Sequence, residues 1–368
     1  MEHPLFLVPA ALPLRLLPDE TVEDLQNRGM RLLQRRTGFR FGTDSVLLAA
    51  YAASFYGSPT LKRQPTDRQN MQQNPVSGQN PPRKPLAAVD LGAGCGAASL
   101  LLAARLDQLM ICALEVDRPS CETLARNIVL NRLDARLAAM LVDIRRIAEG
   151  EWPFAGAQDG LFAGRARGSF DLVITNPPYL RPEQSYGFAL SSGQSADHTR
   201  TESSLELEQL LQAANRLLRP GGRLVMVHRA HRLADILPAL RACRLEPRTL
   251  RLVQPLPGRR PSVFLLSAIK NGRPGGFQVE APLIVADRPG QLSAETASWY
   301  GHEPLMTRDA LYHDLMPADG SFDTRPDEWT NILAEGASGI AVDERISALT
   351  DNLPGIQRES TRKRGSSV

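Results

Sequence analysis

Between residues 87 and 269 short apolar runs alternate with longer amphipathic stretches, a pattern that predicts strands and helices in turn. Ala87 to Leu91 reads as a buried strand, Ala97 to Leu106 as a helix with Ser99 and Arg105 among alanines and leucines, and Met110 to Val116 as a second strand. Pro119 falls in the first turn of the next helix, which runs to about Asn131; there the missing proline N–H has no intrahelical partner to lose. Arg136 to Val142 makes a third strand and the run at Leu172, Val173 and Ile174 a fourth, with the Gly- and Ala-rich stretch 151–169 as a surface excursion between them. Leu205 to Leu218 is amphipathic at helical spacing and is stopped by Pro220-Gly221-Gly222; the strand Arg223 to His228 and the helix Ala234 to Cys243 follow. Two strands, Thr249 to Val253 and Ser262 to Ile269, joined by a turn of Pro, Gly and Arg, complete the pattern. Strands alternating with helices and closing on a hairpin predict an α/β fold, a doubly wound, seven-stranded, mostly parallel sheet with an antiparallel edge strand.

Outside this core the pattern weakens, and the chain divides accordingly. Residues 1–56 form a lead-in: an extended start, the basic cluster Arg31, Arg35, Arg36 and Arg40, and a helix capped by Thr43 or Asp44 that carries Val46, Leu47, Ala50 and Tyr51. Residues 57–86 are Gln, Asn, Pro and Arg with few apolar positions, which predicts a disordered insertion. Residues 87–285 hold the sheet, and 286–368 form a tail expected to be mostly disordered.

Charge sharpens that division. The tail carries 14 Asp and Glu against 8 Lys and Arg, so the net +3 of the chain conceals +9 in the first 285 residues, a balance that favours a polyanionic partner for the body. Cys95, Cys112, Cys121 and Cys243 show no metal-ligand spacing and read as reduced thiols of a cytoplasmic protein. The apolar start is broken by Pro4, Pro9 and Pro13 and lacks a basic leader, and no segment reaches the ~18 uninterrupted apolar residues of a membrane span.

The candidate chemistry sits at strand ends. Asn176-Pro177-Pro178-Tyr179 follows the fourth strand directly, and two prolines fix φ twice, remove two donors and hold Asn176 extended. The Asn176 side-chain oxygen and the Pro177 carbonyl then offer two acceptors, with the Tyr179 ring beside them as a stacking surface. Such a site suits a planar substrate bearing NH2, because two acceptors holding both hydrogens localise the nitrogen lone pair and aim it at an electrophile. The bland alternative is a Pro-Pro turn closing a strand, with Tyr179 as ordinary packing.

Asp90-Leu-Gly-Ala-Gly-Cys-Gly96 ends the first strand and opens a helix, and Gly92, Gly94 and Gly96 let the backbone turn tightly and approach a ligand at the helix amino end. Glu115 ends the second strand, where such folds place a carboxylate that takes a ribose diol, and Asp143 follows the third. The glycine pattern also satisfies a dinucleotide fingerprint, so a nicotinamide enzyme competes at this step; the Pro-Pro pair before Tyr179 would then be unexplained.

Together these motifs resemble the class I S-adenosylmethionine-dependent methyltransferases that act on exocyclic nitrogen. The lead-in GFRFGTDSVLLAAYA, PGGRLVMVHR and LPGRRPSVFLLSAIKNGRPGGF resemble the bacterial tRNA adenine N6-methyltransferases that modify the purine next to the valine tRNA anticodon, a similarity running from about Met30 to Val285. The resemblance implies that Asp90, Gly92, Gly94 and Gly96 surround the methionine end of S-adenosylmethionine. Glu115 would hold its ribose and Asp143 its adenine amine, with Asp44 helping to cover it. Asn176 and Pro177 would bind the target amine, with Pro178 in the same catalytic loop and Tyr179 stacking on the base. It implies a tRNA partner, no metal and no membrane. N5-methylation of a glutamine in a protein such as a release factor, adenine in DNA, and a non-catalytic cofactor- and RNA-binding module remain open at this point. His198, Arg200, Arg259, Arg260 and Arg273 are candidate RNA contacts with solvated loops as the alternative, and His228 reads as a packed core histidine.

Overall fold

In the computed structural model the described residues are 5–6, 14–36, 41–56, 85–154, 161–177 and 207–301. In chain order they form β1 (Leu5–Phe6), β2 (Glu20–Asp24), β3 (Arg31–Arg35), α1 (Thr43–Ser54), β4 (Leu86–Leu91), α2 (Ala97–Arg105), β5 (Leu109–Glu115), α3 (Arg118–Leu130), β6 (Leu137–Leu141), α4 (Ile144–Glu149) and β7 (Phe170–Thr175). Then come α5 (Leu207–Leu217), β8 (Leu218–Arg229), α6 (Leu233–Ala242), β9 (Leu245–Gln254), β10 (Val263–Lys270), the short strands β11 (Gln278–Val279), β12 (Leu283–Ile284), β13 (Ala286–Arg288) and β14 (Gln291–Leu292), and α7 (Ala294–Tyr300).

One sheet runs in the order β1-β6-β5-β4-β7-β8-β10-β9-β11, with β12 also on β9. The pairs β6/β5, β5/β4, β4/β7 and β7/β8 are parallel, and β10 runs antiparallel to both β8 and β9. The seven long strands are those expected. The antiparallel one lies one position in from the edge, because β9 crosses outward and β10 returns into the gap between β9 and β8. A second antiparallel strand, β1, extends the opposite edge beyond β6.

The alternation of side chains along each strand sorts the core into two layers. Ala87, Val89 and Leu91 of β4 pack with the apolar faces of α4, α5 and α6. Ala88, with Ile111, Leu172 and Val225 of neighbouring strands, packs against α1, α2, α3 and the Trp299 and Tyr300 end of α7. Helices on both faces leave the central strands buried on both sides, which explains runs that are apolar at nearly every position.

Three elements differ from the sequence expectation. The extended start contains a hairpin, β2 paired antiparallel with β3, held to α3 by polar contacts. The buried Arg126 guanidinium donates to both Glu20 carboxylate oxygens at 2.6 and 2.9 Å, and loss of either partner from such a pair costs ~3–5 kcal/mol. Asn127 and Asn131, one turn apart on α3, each exchange two hydrogen bonds with the backbone of Leu33 and Arg31 respectively. Second, the short helix α4 follows Asp143, which caps it by accepting from the Arg145 N–H. Third, the stretch 286–301 assigned to the tail is folded. Ser293 caps α7, Tyr300 Oη donates to Thr43 Oγ1 at 3.1 Å, and Arg105 donates to the Trp299 carbonyl. The insertion over 57–84 and the tail beyond Gly301 lie outside the described residues.

Candidate active site

The parallel strands β6, β5, β4 and β7 end in register, and this alignment gathers the predicted residues. Leu114 and Thr175 flank Leu91, and Glu115 pairs with Leu141. Asp143, Glu115, Gly92 and Asn176 therefore follow four adjacent strand ends along one rim, spanning three strand spacings or about 14 Å. This is the carboxyl edge of the sheet, where open α/β folds place their ligand crevice. Thr175 Oγ1 donates to the Leu91 carbonyl at 2.9 Å and is fully buried, tying the strand that presents Asn176 to the strand that presents the glycine loop.

The loop from Asp90 to Gly96 is held from below and left open above. The Gly92 and Ala93 amides donate to the Leu114 carbonyl, each at 3.0 Å. The Gly94 amide donates to Glu115 Oε2 at 2.7 Å, and Asn127 Nδ2 donates to the Cys95 carbonyl at 2.9 Å. Gly92 and Gly94 adopt φ of +70° and +56°, and a Cβ on either would meet nothing within 4 Å. Open space over a left-handed backbone is the geometry a closely approaching ligand requires. Gly96 differs: at φ +91° its Cβ would lie 2.3 Å from Leu124 Cδ1, so glycine there permits α2 and α3 to pack.

Two carboxyls lie under this loop. Asp90, 2% exposed, accepts from Ser99 Oγ at 2.7 Å. Burial pushes it up to about 7, opposed by the Ser99 hydrogen bond and reinforced by the charge of Glu115. Glu115, 9% exposed, accepts from the amides of Gly94, Val116 and Asp117. Burial raises it too, with those three amides working the other way. Val116, next in sequence, is 55% exposed and sets an apolar surface beside the carboxylate. Cys95, within the loop, is held as a thiol, burial pushing it up to about 12.

The remaining predicted residues fare differently. Asp143 is engaged within its own helix turn, both oxygens accepting from Arg145 Nε at 3.0 and 2.8 Å. Burial alone would raise it; the Arg145 hydrogen bonds and charge outweigh that and hold it below the ordinary range. Asp44 lies half-buried in the first turn of α1. Asn176 is half-buried and Pro177 buried at the end of β7, whereas Pro178, Tyr179, His198 and Arg200 lie outside the described residues. His228 is fully buried, its Nδ1 accepting from the Arg229 amide at 2.8 Å and its ring stacked on Phe264, as expected of a core histidine. Among the described residues no group of three or more His, Cys, Asp or Glu is placed to hold a metal ion, and no helix is long and apolar enough to cross a membrane.

Sequence reasoning passed over Thr175, Val116 and Asn127. Thr175 and Val116 each adjoin a motif residue, so position was the available signal; Asn127 lies inside a helix with no motif beside it.

No protein-family model matches the chain. It is similar to a curated protein of Porphyromonas gingivalis named tRNA1(Val) (adenine(37)-N6)-methyltransferase, 28% identical over 237 residues, 63% of this chain and 75% of that one. Proteins of the same name from Flavobacterium johnsoniae and Shewanella halifaxensis are 24% identical over 194 residues and 31% identical over 140, covering 63% and 48% of those chains. Among solved structures, that of a predicted O-methyltransferase from Agrobacterium tumefaciens superposes with a TM-score of 0.45 at 22% identity, covering 70% of this chain and 95% of the other. The resemblance read from the motifs is thus met by relatives that share one name.

Proposed function

We propose that the protein is an S-adenosylmethionine-dependent methyltransferase acting on the exocyclic N6 of an adenine in tRNA, next to the anticodon; the relatives' name gives adenine 37. The observation that carries the reading is the row of strand ends. A glycine loop open to a ligand, a nearly buried carboxylate under it and Asn176-Pro177 lie on adjacent strands of one rim. The site fits the cofactor on its own chemistry. The buried Asp90 carboxyl faces no cation among the described residues and suits an ammonium, Glu115 Oε2 accepts a single amide and keeps a lone pair for a hydroxyl, and Val116 offers a face for a planar base.

When bound, S-adenosylmethionine supplies a methyl group already activated on a sulfonium, so no metal or covalent enzyme adduct is required. The protein's part is positioning and polarisation. Asn176 Oδ1 and the Pro177 carbonyl accept the two amine hydrogens, turning the nitrogen lone pair away from the ring and toward the glycine loop. The rigid end of β7, fixed by Thr175 on Leu91, holds those acceptors in place. Methylation of the neutral amine leaves a cation that gives one hydrogen-bonded proton to solvent. Asp143, sequestered by Arg145, must exchange that partner to take an adenine amine. An adenine in an RNA loop reaches this rim more readily than one in a duplex, because less stacking is lost.

The test is transfer of labelled methyl to unmodified total tRNA and, in parallel, to a release-factor protein, followed by nucleoside analysis. Label recovered as N6-methyladenosine is the expected result. Label in the protein alone overturns the RNA reading in favour of a glutamine side chain, and cofactor binding without transfer to either overturns catalysis.

A further inference from the structure

The fold separates arginines that the sequence places together. Arg259, Arg260 and Arg273 all fall near the β9–β10 pair, yet β10 alone spans about 23 Å from Val263 to Lys270 and runs antiparallel to β7 and β8. The β9–β10 turn therefore lies at the rim that carries Asn176, while Arg273 lies with Arg244 at the opposite end of the sheet.

The register locates the turn further. Thr175 pairs with Met226, so β8 runs on beyond β7 past the level of Asn176 and Pro177 to Arg229. Arg229 pairs with Val263, and the Ala230 amide donates to the Ser262 carbonyl at 3.1 Å. The turn 255–262 thus stands two to three strand spacings to the side of Asn176, about 10–15 Å laterally, and beyond its level along the strand direction. It is stiff: Pro255, Pro257 and Pro261 fix three φ angles, Gly258 turns at φ +72°, and the Arg259 amide closes on the Leu256 carbonyl. Both arginine side chains are exposed, and among the described residues neither guanidinium has an ion pair or hydrogen bond. At the far end Arg241 pairs with Glu246 and Arg248 caps the carbonyls of Arg273 and Gly275, while Arg244 and Arg273 are exposed without an ion pair or side-chain hydrogen bond among the described residues, so the two ends differ in their distance from Asn176. Two adjacent, undirected guanidinium groups on a rigid turn that projects beyond the level of the acceptor loop are placed for an anionic chain passing over the rim. Ala286, whose amide donates to the Pro255 carbonyl, is followed by the exposed Asp287, which bounds the basic strip on its outer side.

We infer that the β9–β10 turn is a phosphate-binding rim for the RNA backbone that flanks the target base, with Arg259 and Arg260 as its cations. The inference rests on the RNA substrate proposed above. Phosphate contacts of this kind fix position and register without reading sequence, and each adds to the salt dependence of binding.

The test uses the full chain and a fluorescein-labelled, unmodified valine tRNA transcript, with affinity measured by anisotropy across a salt series. The paired substitution Arg259→Gln with Arg260→Gln is compared with Arg244→Gln with Arg273→Gln at the other end. The turn pair should weaken binding on the order of tenfold at 0.15 M salt and flatten the slope of log K against log salt by about 1.5. S-adenosylhomocysteine affinity and the melting midpoint should not change. The far pair should stay within about twofold of wild type. An unaltered slope for the turn pair, or equal loss from both pairs, overturns the inference. Methyl transfer to the same transcript is followed separately. Transfer with unchanged binding by the turn pair sinks the rim alone. Weakened binding by the turn pair without any transfer by the wild type sinks the enzymatic reading and leaves the rim. Neither transfer nor binding by the wild type sinks both.

Discussion

Replacing Asp90 by asparagine removes one ionisable group from the interior while keeping its shape and the oxygen on which Ser99 donates. The carboxyl is pushed up to about 7 in the folded protein against ~3.9 in an unfolded chain. Between those values the folded state holds a proton that the unfolded state has released, so stability falls as pH rises from about 4 and levels off above about 7. The full displacement is worth at most about 4 kcal/mol, of which roughly 2.5 kcal/mol develops between pH 5 and pH 8. At about 2–4 °C per kcal/mol for a body of this size, Asp90→Asn should gain about 5–10 °C on the wild type over that interval. Melting curves without cofactor, recorded for both proteins at half-unit pH steps, measure the gap directly. Glu115 is also raised by burial, but it titrates in both proteins and drops out of the difference to first order. A gap that is constant with pH, or that narrows as pH rises, refutes the reasoning. The same argument reverses for a cationic ligand, whose charge draws Asp90 toward the ionised form. Cofactor affinity of the wild type should climb through pH 7, and that climb should flatten in the variant.

Four further outcomes follow from the geometry. Asn176→Ala should lower methyl transfer by at least about a hundredfold with cofactor affinity nearly intact, and parallel loss of both would make the residue structural. Glu115→Ala should weaken cofactor binding in calorimetry by about tenfold or more, since three amides lose their acceptor as well; unchanged affinity would remove it from the cofactor site. Gly96→Ala places a methyl 2.3 Å from Leu124 Cδ1 at a left-handed φ and should cost about 2–4 kcal/mol in urea unfolding, with a loss under about 1 kcal/mol counting against the packing role given to that glycine. Trp299→Ala empties a site that is 4% exposed and should cost about 3–5 kcal/mol; a melting midpoint equal to wild type would mean that α7 is not part of the folded body.

The strand ends were readable because each motif reports on the backbone where it lies. Glycines at 92 and 94 need left-handed φ and open space, and they have both. The β2–β3 hairpin was not readable for an opposite reason. Its buried positions include Glu20 and Asp24, and Glu20 is met by the Leu17 amide and by Arg126 from 106 residues away. No local periodicity carries that information. The tail misled through composition, since its acidic excess conceals the Ser293 cap and the Trp299-Tyr300 pair that dock α7. Asp143 was read as an acid at a strand end, and its capping of a six-residue helix was hidden because α4 is too short to show a helical period.

The docking of α7 has a consequence for the order in which the protein is made. Its last residues reach back across the whole molecule: Tyr300 to Thr43, its carbonyl to Asn27 Nδ2, and the Trp299 carbonyl to Arg105. The lead-in is made before α7, yet part of what pins it over the sheet is supplied by almost the last of the described chain. Chains fold as they emerge, so a growing polypeptide can complete its parallel sheet, with the lead-in already docked through α3 and through the Tyr51 and Tyr56 hydroxyls, before the α7 contacts form. The final clasp closes when residue 300 is released. A chain cut short before that point would lack these three contacts and leave uncovered the apolar surface of α1 and α2 against which Trp299 and Tyr300 pack.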